Sequence, residues 1–494
     1  MGQASFSDEP VAGGAMPATG EHALESASGA SAGRILDCDI CVVGDDLAGL
    51  LIACDLASHG YDVALVSPHA ENRVSRSGAT QNGADVAVAQ PVWPGALGFE
   101  ASMTPGFALS SRELVARLGR EDARELFTLS LGAAERGLRY VTEAGLPAGP
   151  RGRLLAARAH AVAELAAEHE AREALQPHSV MMLDLDQTQA LLGTQTFSAA
   201  LGVAYAYRVN VAALRAILEE AALQSEVKLV DGSAGLSADL NGVRKYINVG
   251  PLRVRAYYVV FSGGAELFGV APALVPGLVV TPWVSGQFRL PPQEGGGYHG
   301  LVDEFGSTGL RFYHDERTLN VAAETAFPAF SPSGAARVLR RHARAASPLV
   351  TDLSADGVRS FKRAHPRQQM PLVYEGEKGV WYCATQSEDE PAHGVLAADL
   401  IVGAIANRDD RIRLLQTFGI AASTQRPVGW VGTVASYGCA RLARILPVGR
   451  DKIVATAPPP ALAAPVEKPS PETDSASEGA SSERLNGSGD LPKG

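Results

Sequence analysis

Three observations predict an α/β fold, in which a Rossmann-like domain assembled from separated stretches of chain carries an inserted α+β domain on a mixed or antiparallel sheet. The first is a βαβ unit over residues 38–67. The second is a set of later apolar strands at 227–230, 254–261 and 380–383, which read as returns to the first sheet. The third is a change of pattern between Val279 and Phe361, where short alternating strands are punctuated by Pro and Gly. Strands that alternate with helical patterns build parallel sheets, whereas closely spaced short strands build antiparallel ones.

The βαβ unit opens with the apolar strand Cys38 to Val43, turns through Gly44, Asp45, Asp46, Leu47, Ala48 and Gly49, and continues as a helix over Leu50 to Ser58 that stops at Gly60. A second strand, Tyr61 to Ser67, follows. The spacing is that of a dinucleotide-binding fingerprint, whose glycines let the backbone approach a pyrophosphate seated on the helix N-terminus and whose second strand ends in an acid that grips a ribose. The first and third glycines stand as Gly44 and Gly49; the second is Asp46, and the place of the ribose acid is held by Ser67.

Beyond this unit, Ser110 and Glu113 have the spacing of a capping box, and Leu126, Phe127, Leu131, Ala134, Leu138 and Val141 follow the spacing of a buried helical face, predicting a long helical hairpin. A short strand is expected over Arg153 to Arg158, then an Ala- and Glu-rich helix over Ala159 to Ala174. The helix Val211 to Leu223 presents Leu214, Ile217, Leu218 and Ala221 on one face and leads into the strand Val227 to Val230. Val254 to Phe261 reads as one buried strand ending in Ser262, Gly263 and Gly264; Gly309 to Tyr313 and Leu319 to Ala322 read as strands of the inserted sheet. A late strand at Val380 to Cys383 precedes a helix over Gly394 to Ala406.

Composition narrows the function classes. With 494 residues, 46% of them apolar, the chain buries a large core. A formal net charge of −11 argues against nucleic acid as a partner. The five cysteines, Cys38, Cys41, Cys54, Cys383 and Cys439, are few and unpatterned, which suits a reducing compartment, and a cytoplasmic location is expected. No apolar run approaches the roughly 20 residues of a membrane span, and no metal-ligand spacing stands out. The start carries no secretory pattern, and both ends, rich in Ala, Ser, Gly, Pro and Glu, read as disordered tails.

The order of elements carries a likeness. The βαβ unit, the loop Ser77, Gly78, Asn82 and Gly83, the helical excursion, the 209–218 helix, the Ser262-Gly263-Gly264 strand end and the late His393-Gly394-Val395 helix start occur in a sequence that resembles the D-amino-acid-oxidase-like superfamily of FAD-dependent oxidoreductases. Within it the likeness is nearest to gamma-glutamylputrescine oxidoreductase and related amine and amino-acid oxidases. The resemblance implies a Rossmann-like FAD-binding domain formed by segments 35–105, 206–275 and 361–410, a helical and substrate segment at 106–205, a substrate-side sheet at 276–360, a C-terminal helical segment at 411–454, and tails at 1–34 and 455–494. It implies FAD as cofactor, with Gly44, Asp46, Leu47, Ala48, Gly49, Ser67, Ser77, Gly78, Asn82, Gly83, Gly263, Gly394 and Val395 at the cofactor, and a small amine or amino acid as substrate. The implied reaction is hydride removal from a carbon that bears an amine, the flavin carrying the chemistry and the protein supplying position and electrostatics.

Three features depart from the family's pattern. Asp46 brings a carboxylate to the pyrophosphate; two like charges about 4 Å apart repel by roughly 4 kcal/mol at an effective dielectric near 20. The same residue type suits a helix N-cap, where it stabilises the end by about 0.5 to 2 kcal/mol. Ser67 offers the ribose one hydroxyl in place of a carboxylate, and Glu388, Asp389 and Glu390 precede the helix start at His393, where relatives carry a neutral turn.

On the substrate side Arg311 and Tyr313 share a strand face next to His314 and Arg317, and Lys362, Arg363, His365 and Arg367 form a second basic cluster. Arg311, Tyr313, Arg367 and His393 are the candidate catalytic residues, since a bidentate Arg suits an amino-acid carboxylate. Two functions follow: an FAD-dependent amine or amino-acid oxidoreductase, or a catalytically silent relative that has lost FAD and serves a binding or protein-partner role.

Overall fold

The computed structural model describes residues 34–68, 101–291, 298–306, 309–315, 317–325, 332–350, 352–353, 358–385 and 390–419. The expected tails, apart from Arg34, lie outside the described residues, as do Ser77, Gly78, Asn82, Gly83, Glu388, Asp389 and Cys439.

One sheet has six strands in the order Leu372–Glu375, Val380–Ala384, Tyr258–Ser262, Ile40–Val43, Val63–Ser67, Lys228–Asp231. Neighbours pair in parallel except at the Leu372–Glu375 edge, which is antiparallel. The first stretch of chain is therefore central, and later stretches return on both sides of it.

Alternation along the strands divides the core. Ile40, Val42, Val63 and Leu65 pack with the helices Leu47–Ser58 and Pro391–Ala406 through Leu47, Leu50, Leu51, Leu396, Ala397 and Ile401. Cys41, Val43, Ala64, Val66, Val259 and Phe261 face the other way, onto Ile247, Val254 and Ala256 of a four-stranded sheet. With both faces covered, these strands read as unbroken apolar runs, and each fully buried Leu or Val adds about 1.5 to 3 kcal/mol.

The strand expected over 254–261 is two strands, Leu252–Ala256 and Tyr258–Ser262, in different sheets. The carbonyl of Asp39 accepts from the backbone N–H groups of both Tyr257 and Tyr258, at 3.0 and 3.1 Å, and so bends the chain between them. Arg34–Asp37 and Ile40–Val43 change sheet at the same level, the former pairing in parallel with Leu252–Ala256. An apolar run carries no mark of such a jump.

The expected helical hairpin is two helices, Ser111–Leu118 and Arg120–Glu143, joined at Gly119 with φ +83°. The hydroxyl of Ser110 accepts from the Glu113 N–H at 3.2 Å and starts the first of them. The inserted domain rests on a ten-stranded mixed sheet whose long strand Leu278–Arg289 pairs antiparallel with Thr318–Glu324 and with Arg359–Pro366. Ala335, Leu339, Ala343 and Ala346 of the helix Pro332–Ala346 pack on its Phe288, Phe312, Leu319 and Val321.

Two glycines hold the βαβ turn closed. A Cβ on Gly44, at φ +124°, would lie 1.6 Å from the Ser262 carbonyl oxygen, and a Cβ on Gly49 would lie 2.2 Å from the Gly44 carbonyl oxygen. Both obstacles are backbone and have no rotamer with which to yield. Gly49→Ala is expected to destabilise the fold by about 3 kcal/mol. Gly132→Ala, in the Arg120–Glu143 helix with nothing within 4 Å of the new Cβ, is expected to gain up to about 1 kcal/mol from helix propensity. Urea unfolding of the two variants checks both signs.

Candidate functional site

The strands Ile40–Val43 and Tyr258–Ser262 run side by side, and open α/β sheets place ligands beyond the carboxyl ends of such strands. Asp46, with φ −66° and ψ 172°, is the N-cap of the first helix. Its Oδ1 accepts from the Gly49 N–H at 2.9 Å and from the Ser262 hydroxyl at 2.6 Å. These are the kind of donors that a phosphate oxygen takes at a helix N-terminus.

Next to it, the Ser67 hydroxyl donates to Asp45 Oδ2 at 2.6 Å. A carboxylate thus does stand at the end of the Val63–Ser67 strand, contributed by residue 45. Arg215 of the helix Val211–Gln224 lies 3.6 Å from the same Oδ2 and donates to the Asp45 carbonyl. Asp45 and Arg215 are both buried. On the neighbouring strand end, Gly263 has φ +150°, and a Cβ there would lie 2.3 Å from Glu266 Oε1, which accepts from the Gly264 N–H at 2.5 Å.

Leu47, Ala48 and Gly49 are fully turned into the helix packing. As they stand, the described residues do not fit the diphosphate of FAD: Asp46 engages the donors, and the carboxylates of Asp45 and Glu266 follow the same strand ends.

The start of the Pro391–Ala406 helix is closed by an ion quartet in which Arg311 and Glu390 are buried and Arg153 and Asp303 half-buried. Arg153 meets Glu390 in a fork, Nη1 to Oε2 and Nη2 to Oε1 at 2.9 Å each, while Arg311 Nη2 donates to Oε1 at 2.8 Å. Asp303 closes the ring, accepting from Arg153 Nε and from Arg311 Nε at 2.6 Å each. Two guanidinium groups against two carboxylates leave no net charge. Burial raises the Glu390 carboxyl, but Arg153 and Arg311 outweigh it and hold the group far below the usual carboxylate range.

His393 is buried beyond the quartet, its Nε2 2.8 Å from the Gly106 carbonyl oxygen and its ring stacked on Phe107 at 5.5 Å. A carbonyl only accepts, so Nε2 carries a proton. Burial lowers the His393 pKa, with Glu390 opposing in part, and the imidazole is neutral at pH 7. Gly394 and Val395 follow inside the helix, buried.

Tyr313 lies under the guanidinium of Arg208, 4.0 Å from the ring centroid, and Arg208 Nη1 donates to the His299 carbonyl at 2.8 Å. Burial, assisted by His299, lowers the His314 pKa to about 4. Arg317 and Lys362 are exposed, and Arg363 stacks over Trp283 at 4.9 Å. Arg367 lines a cavity of about 40 Å³ with Pro276, Gln368 and Phe418, a volume that suits a water rather than a substrate. His365 belongs to the Arg359–Pro366 strand, opposite Val279. The structure thus brings Arg311 to the His393 helix start through Glu390, and sets Tyr313 with Arg208. Burial pushes the thiols of Cys38 and Cys54 up to about 12, so neither supplies a thiolate at neutral pH.

Several residues of this network, Arg153, Asp303, Asp45, Arg215, Ser262 and Glu266, were given no site role from the sequence, although Asp45 and Ser262 lie in motifs that it marked. For Arg215 a signal exists. Val211, Arg215, Leu218 and Ala222 recur at helical spacing and are all buried, so this Arg sits on the apolar face of its helix. Arg153 and Asp303 lie on different strands and meet only through sheet pairing.

The chain matches the family model described as FAD dependent oxidoreductase over residues 39–406. Among solved structures, it is similar to glycine oxidase from Geobacillus kaustophilus, with 14% identity over 78% of this chain and 99% of that one, at a TM-score of 0.58. L-proline dehydrogenase from P. horikoshii aligns at 11% identity over 77% of this chain and 96% of that one, with a TM-score of 0.57. Iminodiacetate oxidase from Chelativorans sp. BNC1 aligns at 17% identity over 78% of this chain and all (100%) of that one, with a TM-score of 0.53. These likenesses are in fold. A comparison with curated protein sequences returns no match. Among the described residues no helix is long and apolar enough to cross a membrane, and no cluster of His, Cys, Asp and Glu could hold a metal ion.

Breaking the quartet by Glu390→Ala is expected to cost about 3 to 5 kcal/mol at neutral pH, because two guanidinium groups are left with one carboxylate. Since the folded state depresses the Glu390 pKa, its contribution is complete above the ordinary carboxyl range and is lost as the pH falls toward the folded value. The stability difference between wild type and Glu390→Gln, followed by urea unfolding at successive pH values, should therefore narrow on acidification. A difference that stays constant would contradict the ion-quartet account.

Proposed function

The chain belongs to the family of FAD dependent oxidoreductases, and from that premise we propose that it is an oxidoreductase acting at the C–N bond of a small amine or amino acid. The observation that carries the reading is the family match over 39–406, realised as a parallel sheet with the Gly44 to Gly49 turn at its carboxyl ends. The structural neighbours named as glycine oxidase and iminodiacetate oxidase support the substrate class through their fold alone. Arg153 and Arg311 are matched by Asp303 and Glu390, so the quartet has no surplus positive charge for an acid. The narrower likeness to gamma-glutamylputrescine oxidoreductase stays an expectation of the sequence.

A second reading is favoured by one observation, the engagement of Asp46 with Gly49 and Ser262. It is that of a catalytically silent relative that keeps the fold for a binding or partner role. The absorption spectrum of the full-length protein separates the two. The oxidoreductase reading expects flavin absorbance in the protein fraction above that of the running buffer, after gel filtration in buffer that contains FAD, and its anaerobic bleaching by an amine. Protein that takes up no flavin under those conditions supports the silent relative.

A further inference from the structure

We propose that Asp46 is a built-in substitute for the cofactor's diphosphate: its carboxylate caps the first helix in the cofactor-free protein, and FAD enters only by displacing it. The inference rests on the FAD-family reading and adds to it a competition between a side chain and a ligand for one seat.

The geometry is that of an occupied anion site. A helix N-terminus leaves backbone N–H groups without intrahelical partners and carries a partial positive charge, so it takes a hydrogen-bond acceptor, and favours an anionic one, from a ligand or from the chain. Here Asp46 Oδ1 takes the Gly49 N–H and the Ser262 hydroxyl together, which ties the helix start to the end of the adjacent Tyr258–Ser262 strand. The clamp explains how a cradle made for a ligand closes without one. Gly44 and Gly49 keep the backbone positions that the turn requires, and a single side chain supplies the charge. Glu266, which follows the Tyr258–Ser262 strand and accepts from the Gly264 N–H, adds negative charge on the same side of the sheet, whereas the charge of Asp45, which follows Ile40–Val43, is offset by Arg215. A dianionic diphosphate therefore meets both an engaged set of donors and a repelling field.

Two consequences of opposite sign identify a competitor. Removing the carboxylate raises FAD affinity and weakens the cofactor-free fold, whereas a purely structural cap moves only the second and a residue remote from the cofactor moves neither. Asp46→Asn separates the two effects, because Asn caps a helix about as well as Asp but carries no charge. Titration of the cofactor-free full-length proteins with FAD, followed by quenching of flavin fluorescence, is run beside thermal unfolding of the same samples without FAD. Asp46→Ala is expected to bind FAD about 100-fold or more tightly than wild type, the scale of one close charge repulsion, and to unfold several degrees lower. Asp46→Asn is expected to gain affinity while keeping a near wild-type Tm.

Wild type that binds FAD tightly, with no gain in either variant, overturns the proposal and leaves the oxidoreductase reading standing. No FAD binding by any of the three proteins overturns both. Gain in the variants with little binding by wild type supports the proposal and shifts the function toward the silent relative.

Discussion

A helix N-terminus buried against the ends of parallel strands must find hydrogen-bond acceptors and favours an anion, and much of the structure around the six-stranded sheet follows from how this chain supplies one. Gly44 lies so close to the Ser262 backbone, and Gly49 so close to the Gly44 carbonyl, that no side chain fits at either position. That closeness strands the first-turn amides in a place with little access to water. Asp46 resolves the problem locally, and through Ser262 it joins the first segment of the sheet to the second.

The carboxylate ahead of the Pro391–Ala406 helix does a different job, since it makes no hydrogen bond to the N–H groups of its own helix. Glu390, just ahead of the Pro391–Ala406 helix, is gripped by Arg153 and Arg311 from two strands of the inserted sheet, with Asp303 balancing the charge. Buried charges hold only when paired and hydrogen-bonded, and the depressed pKa of Glu390 is the signature of such a match. Charged groups that face a ligand in an open site here face one another. The ten-stranded sheet and the Pro391–Ala406 helix are bonded directly through them, and His393 is buried beside the bond as a neutral imidazole fixed by the Gly106 carbonyl.

The α/β class, the discontinuous parallel sheet and the mixed second sheet were all legible, because apolar runs, helical periodicity and glycine spacing report burial on one or two faces. Legibility failed where an apolar run crosses from one sheet to another, as at Tyr257, since both halves are equally buried and only the shared Asp39 carbonyl marks the bend. At the site, Asp46 was conspicuous because it stands where a glycine is expected, and its suitability as a cap followed from residue type alone. Arg311 was conspicuous as a charge on a strand, but its partners, separated from it by 8 and 79 residues, were not. Ser67 marked a missing acid, and nothing local showed that Asp45, 22 residues earlier, reaches it.

By itself the sequence determined the fold class, the path of the first βαβ unit and the presence of an acid at the first helix's cap, since each is set by local pattern over a few residues. Only the tertiary structure decided where the charges spend themselves. Whether Asp46 turns to its own helix, whether Arg311 faces a substrate or Glu390, and which carboxylate stands beside Ser67 depend on strands brought together from distant parts of the chain. Electrostatic pairing inside a protein is settled by distances of a few ångströms across the sheet, and spacing along the chain does not encode them.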